Sequence, residues 1–196
     1  MAIEIRKLIP GLAEDYVNFF NTTPHDDNMD EHKCYCVCWC NDDYDGKDFS
    51  TVDKRRKYAL PYVKGNNIQG YLAYSGEVVV GWCNANTKAD CLKCASWRRF
   101  MDYVPLEESN TGIKVKSIFC FVIAPEMKRK GIATLLLERV CKDAFQDGFD
   151  FVEAYPYKES SYQSSDFGGH FEMYKKSGFY VSLETEQGLV MRKQLK

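Results

Sequence analysis

The stretch from Cys120 to Ala133 (CFVIAPEMKRKGIA) constrains this chain most. It passes from an apolar run through a basic, glycine-bearing turn into an amphipathic pattern. Phe119 to Ile123 are consecutive apolar residues, which reads as the end of a strand (Ile113 to Ile123) buried on both faces. Beyond the turn, Ala133, Leu136, Leu137, Val140, Cys141 and Ala144 recur at helical spacing, with Glu138, Arg139, Lys142 and Gln146 opposite them. Gly148 suits the left-handed end of such a helix. Strand, turn and helix together place the backbone N–H groups of residues 129–133 at the positive end of the helix, where no intrahelical acceptor exists. Gly131 lets the main chain approach a phosphate, and Lys128, Arg129 and Lys130 surround it with positive charge. The segment predicts a phosphate cradle; a basic turn with no ligand is the plain alternative. A Walker A loop is excluded, because Lys130 precedes Gly131 and no Gly-Lys-Ser/Thr comes after it. A dinucleotide-binding turn fails for want of its three-glycine spacing, and Gly168-Gly169 lies far from any such junction.

This segment resembles motif A of the GNAT acyltransferases, the family that uses acetyl-CoA. The family pattern Arg/Gln-x-x-Gly-x-Gly/Ala falls on Lys128-Arg129-Lys130-Gly131-Ile132-Ala133, with Pro125 in its usual place. Lys128 departs from the pattern, which most often has Arg or Gln there. The resemblance implies that acetyl-CoA lies along Phe121, Val122 and Ile123 by main-chain hydrogen bonds, with its pyrophosphate at Lys128, Arg129, Lys130, Gly131, Ile132 and Ala133.

At 196 residues the chain suits one domain, residues 1–196, with a full hydrophobic core. A formal charge of −2 and a pI near 6.0 give no global electrostatic reason to bind nucleic acid or an anionic membrane. The opening Met-Ala-Ile-Glu-Ile-Arg has no secretory apolar core and no run approaches membrane-spanning length, so a cytoplasmic protein is expected. Nine cysteines, a high and odd number, argue against a complete disulfide framework and for reduced thiols.

Ile3 to Leu8 alternates like a half-buried strand, and after Pro10-Gly11 a helical pattern carries Leu12, Tyr16, Phe19 and Phe20. Cys34-Tyr35-Cys36-Val37-Cys38-Trp39-Cys40 has thiols at every second position, which would share one side if extended. With Cys91-x-x-Cys94 they offer a candidate zinc set, but Cys-x-Cys chelates poorly in a straight strand and buried cysteine is an ordinary small hydrophobe. No metal is therefore expected. Cys34, Cys36 and Trp39 also resemble a Cys-x-Cys-x-x-Trp element of a bacterial GNAT subset, which implies that they line the acceptor pocket. Asn41 to Phe49 reads as an acidic loop, and Thr51 to Val63 as a helical pattern interrupted by Pro61. Gly70 to Tyr74 and Val78 to Asn84, joined by Ser75-Gly76-Glu77, predict a hairpin, and Lys88 to Met101 a short helix and loop.

After the central helix, Phe151 to Pro156 predicts a strand parallel to the earlier one through a right-handed crossover. Glu153 stands in this apolar strand, and a buried carboxylate is costly unless paired. By resemblance it faces the acceptor amine as general base; the alternative is an exposed or salt-bridged side chain. Tyr155 to Phe167 reads as a loop over the cleft, with Tyr155 on the acceptor side. His170 to Phe179 predicts a short helix ended by Gly178 and resembles the family's motif B, in which Tyr174 occupies the tyrosine position before Gly-Phe. A phenol there can protonate the departing thiolate. His170 ranks below Glu153 as a base. Gly188 to Leu195 predicts a terminal strand that closes the sheet.

The expected architecture is α/β (α+β), a GNAT fold with a mixed, mostly antiparallel sheet flanked by helices and one parallel pair. The resemblance covers residues 69–195 well, and the N-terminal third only through Cys34, Cys36 and Trp39. The expected activity is transfer of an acetyl group from acetyl-CoA to the primary amine of a small molecule by direct attack. Tyr174 and Glu153 are then the catalytic residues, and Cys34, Cys36, Trp39 and Tyr155 bind the acceptor. Protein or peptide acetylation, and a non-catalytic CoA-binding or thiol or zinc sensor, are the alternatives. The expected partner is a small amine, neither nucleic acid nor membrane, and a homodimer stays open.

Overall fold

The computed structural model describes residues 2–23, 29–40, 46–105, 112–156 and 167–196. Its frame is one seven-stranded sheet. β1 (Ile3–Lys7) pairs antiparallel with β2 (Gly70–Ser75), which forms a hairpin with β3 (Val78–Thr87). Gly70 is required by contact: a Cβ there would stand 2.0 Å from the Cys83 carbonyl oxygen and 2.4 Å from the Trp82 ring.

β3 pairs antiparallel with the long β4 (Val115–Ile123), and β4 pairs in parallel with β5 (Phe151–Ala154) across the crossover helix α5 (Ile132–Gln146), as expected. β4 has two irregularities. First, its pairing with β5 runs only from Val115↔Phe151 to Ile118↔Ala154, so residues 119–123 continue beyond their parallel neighbour. Second, Asn84 faces Cys120 while Ala85 faces Ile118, which leaves Phe119 as the extra residue of a β-bulge. The bulge re-aims the side chains after it. Cys120 and Val122 line a cavity on one side of the sheet, whereas Ile123 and Ile132 converge on Gly81 under α5.

Before β2, α1 (Ala13–Thr22) buries Tyr16, Val17, Phe19 and Phe20, with Glu14 and Asp15 in its first turn, where the helix dipole favours negative charge. α2 (Val52–Lys64) is capped by the Thr51 hydroxyl, which accepts from the Lys54 N–H at 3.3 Å. It runs through Pro61 rather than stopping there. Pro61 lies in the last turn, so little helix lies beyond the lost N–H, and the Gly65 N–H closes the end on the Pro61 carbonyl at 2.8 Å. Lys88 to Met101 forms two short helices, α3 (Lys88–Cys91) and α4 (Ala95–Phe100).

α6 (Phe171–Lys176) precedes β6 (Tyr180–Glu184) and β7 (Leu189–Gln194). The terminal strand does not close the sheet at its edge. β7 inserts between β5 and β6, pairing antiparallel with both, and β6 forms the margin. Among the described residues, no helix is long and apolar enough to cross a membrane.

Candidate active site

The basic turn has the shape the sequence predicts. After β4 comes a single 3-10 turn, Pro125–Met127, and then two left-handed residues, Arg129 at φ 61° and Gly131 at φ 79°. Left-handed residues alternating with ordinary ones point successive N–H groups into one concavity that suits an anion. Gly131 is the N-cap of α5, and no side chain among the described residues caps it. A Cβ at Gly131 would meet no described atom within 4 Å, so space stands open at the positive end of the helix. The Ile132 side chain turns into the core, 2% exposed, so its contribution to the turn is main chain.

Where β4 outruns β5, the backbone of residues 167–169 lies alongside. The Phe121 N–H donates to the Phe167 carbonyl at 2.8 Å, and the Tyr174 hydroxyl to the Gly168 carbonyl at 2.7 Å. Gly168 is pressed on the Tyr155 carbonyl so closely that a Cβ would stand 2.3 Å from its oxygen. Tyr174 is fully buried, its ring 5.2 Å from Phe179 and 6.5 Å from Phe121. His170 is exposed at the start of α6. Residues 157–166 of the expected loop over the cleft, and 41–45 of the expected acidic loop, lie outside the described residues.

Next to this part of β4 is a cavity of about 330 Å³ whose wall includes Cys34, Cys36, Trp39, Cys120, Val122 and Tyr155. Residues 34–40 are not extended: Tyr35 and Cys36 are left-handed, both at φ 48°, and Val37–Trp39 is a 3-10 turn. The four thiols therefore diverge. Cys34 and Cys36 reach the cavity, whereas Cys40 Sγ accepts from the Asn84 and Asn86 amides at 3.3 and 3.6 Å. The Cys94 thiol bonds the Cys38 carbonyl at 3.4 Å. Cys36 Sγ lies 3.6 Å from Cys120 Sγ; that hydrogen bond, and then burial, hold the Cys36 thiol well above its ordinary pKa. The Tyr16 hydroxyl ties the segment down through the Tyr35 carbonyl at 2.8 Å. Among the described residues, no group of three or more His, Cys, Asp or Glu side chains is arranged to hold a metal ion.

Glu153 is fully buried beneath the cavity and is not part of its wall. Its Oε1 takes a hydrogen bond from the Tyr155 hydroxyl at 2.7 Å, its Oε2 takes them from Arg192 Nε at 2.6 Å and Lys88 Nζ at 3.2 Å, and Lys88 Nζ pairs with Oε1 at 2.9 Å. A carboxylate between two cations is an acceptor, so the Tyr155 proton points at Glu153 and the Ser117 hydroxyl, 2.9 Å away, donates to the phenol oxygen. Burial, reinforced by the Glu153 charge, pushes the Tyr155 phenol well above its ordinary pKa. Sequence reading named Glu153 and Tyr155 but not Lys88 or Arg192. The cross-strand pair Glu153↔Arg192 exists because β7 lies beside β5.

The pattern of the acetyltransferase (GNAT) family matches residues 12–179. Among solved structures, the chain is similar to the PaiA N-acetyltransferase of Thermoplasma acidophilum in complex with coenzyme A, at 16% identity over 99% of each chain with a TM-score of 0.56. It is similar also to an N-acetyltransferase from Staphylococcus aureus Mu50, at 14% identity over 100% of each chain and a TM-score of 0.53. A GNAT-family acetyltransferase from Streptococcus pneumoniae gives 16% identity over 100% of each chain and a TM-score of 0.52. At these identities the likeness speaks to the fold. No curated protein matches the chain.

Proposed function

Because this chain belongs to the acetyltransferase (GNAT) family and is thus an acetyl-CoA-dependent acyltransferase, we propose that it acetylates the primary amine of a small molecule by direct attack. The observation that carries this reading is that residues 119–123 of β4 run on past β5 beside the compact cavity walled by Cys34, Cys36, Trp39 and Tyr155. The strand end suits a thioester and the cavity an acceptor.

The residues present fit acetyl-CoA, since the left-handed Gly131 leaves open space at the N-terminus of a fifteen-residue helix. In this reading the amides of residues 129–133 bind the pyrophosphate, with Lys128, Arg129 and Lys130 supplying charge, and Phe121, Val122 and Ile123 carry the arm by main-chain bonds. Acetyl-CoA supplies an activated acyl group. The Phe121 N–H then stabilises charge developing on the carbonyl oxygen, in place of its bond to Phe167. Tyr174 exchanges the Gly168 carbonyl for the sulfur and protonates it as it leaves. Glu153 serves the amine through Tyr155, whose hydroxyl it orients. Holding amine and thioester together supplies much of the remaining acceleration.

Calorimetric titration with acetyl-CoA at low salt, with a subsequent amine screen reading released thiol, tests the proposal. Binding and turnover are expected; a flat titration would overturn it.

A further inference from the structure

Aromatic and aliphatic side chains dominate the described wall of the cavity beside β4. Trp39 is part of it, with its ring 4.1 Å from Phe119 at 35° and 5.5 Å from Phe100 at 57°. Met101, Val122 and Phe167 complete an apolar surface. Trp39, Phe119 and Val122 are only partly buried, so aromatic and aliphatic area faces the space. At about 330 Å³ the cavity sits at the small end of ligand pockets and suits a single-ring compound.

No Asp, Glu, Lys, Arg or His among the described residues lines this cavity. The titratable groups that do are the thiols of Cys34, Cys36 and Cys120 and the phenols of Tyr103 and Tyr155. The Cys36 and Cys120 thiols are raised above their ordinary pKa, and the Tyr155 proton is committed to Glu153. Among the described residues the wall therefore carries no carboxylate, ammonium, guanidinium or imidazole. Charged side chains gather in an adjoining, more open cavity that shares Cys34 and Phe167 with it and carries Glu31, Lys47, Asp48 and Arg55. An ammonium in the inner space would lose its water and meet no carboxylate among the described residues of the wall, which costs several kcal/mol.

Resting on the acyl-transfer reading above, we propose that the acceptor is an aromatic primary amine that binds uncharged, its ring on Trp39 and Phe119, and that polycations and peptide termini are rejected. The nitrogen lone pair forms the new C–N bond as the C–S bond breaks, Tyr174 gives its proton to the CoA sulfur, and the proton shed by nitrogen restores the Tyr174 hydroxyl. Because the amine must enter neutral, its own ionisation governs the rate.

Benzylamine, a second aromatic amine less basic by about one unit, spermidine and an alanine-terminated peptide would be compared with acetyl-CoA as donor. The expected result is kcat/KM at least about tenfold higher for the aromatic amines, rising about tenfold per pH unit to a break that moves with the pKa of the amine used. Trp39→Ala is expected to raise the benzylamine KM about tenfold with the acetyl-CoA KM unchanged, and Trp39→Phe to restore it. Preference for spermidine or the peptide, or a break that stays fixed when the amine changes, would overturn the proposal. Acetyl-CoA binding measured on the same sample separates the two ideas: no binding defeats the acyl-transfer reading, whereas binding with turnover of polycations defeats only this one. If acetyl-CoA binds and nothing turns over, calorimetry of benzylamine into the CoA complex decides, heat supporting the neutral aromatic acceptor and its absence refuting it.

Discussion

The Tyr174 hydroxyl donates to the Gly168 carbonyl at 2.7 Å, one residue beyond the Phe167 carbonyl that takes the Phe121 N–H at 2.8 Å. Two consecutive carbonyls thus occupy the two donors proposed to serve the thioester. Tyr174→Phe keeps the ring on Phe179 but removes the proton. The expected outcome is a fall in kcat of roughly 10²-fold, acetyl-CoA affinity within a few-fold of wild type, and a stability loss of about 1 kcal/mol. Steady-state kinetics with calorimetry checks it, and an unchanged kcat would remove Tyr174 from the chemistry.

Glu153 compensates both Lys88 and Arg192, and all three are buried. Glu153→Gln leaves two buried cations with an amide between them. The protein should lose about 3 kcal/mol or more in urea unfolding, in line with the cost of breaking buried pairs from one side. The Tyr155 hydroxyl exchanges a charged acceptor for a neutral amide at the same time, so the KM for the amine should rise as well. A stability within about 1 kcal/mol of wild type would mean that the cluster is hydrated or neutralised in another way.

The range of each interaction decides whether it is legible in the sequence. The turn at Gly131, the helix behind it and the parallel crossover to Phe151 are written in local periodicity, so they are readable. Pro61 misleads because the cost of a helical proline depends on how much helix lies beyond it. The placing of β7 between β5 and β6, and with it the Glu153–Arg192 pair, is a non-local choice that alternation along one strand does not encode. The same holds for the bulge at Phe119, which turns a run of apolar residues into two differently facing sets. Tyr35 and Cys36 take left-handed conformations that their residue types do not announce, so the thiols that alternate along the sequence point apart in the fold. The resemblance puts Cys34, Cys36, Trp39 and Tyr155 on the acceptor side; that they share one wall is visible only in three dimensions.

Gly131→Ala tests the phosphate cradle. The new Cβ meets no described atom, so it adds little steric cost within the protein itself. The backbone at φ 79° is nonetheless unfavourable for alanine by about 1–2 kcal/mol. The methyl group would stand in the space assigned to the pyrophosphate. Acetyl-CoA affinity should therefore fall by about tenfold or more while the amine KM changes little, as read by calorimetry and kinetics. Unaltered affinity would place the anion elsewhere.

The thiols set an alkaline limit on stability. Burial pushes Cys38 and Cys141 up to about 11 and Cys91 up to about 12, because a thiolate loses its hydration inside the protein. In the unfolded chain these thiols titrate near their ordinary value of about 8.5. Below that pH both states hold the proton and the thiols contribute in full. Above it the unfolded chain releases protons that the folded one retains, so stability drains away as pH rises toward 11 or 12, at up to about 1.4 kcal/mol per unit for each thiol. The urea midpoint should therefore hold steady between about pH 7 and 8 and decline beyond roughly 8.5. Iodoacetamide labelling of the folded protein at these three positions should be slow at about pH 7.5 and climb about tenfold per pH unit, since only the thiolate reacts. Rapid labelling of Cys91 at neutral pH would show that its burial is not sustained in solution.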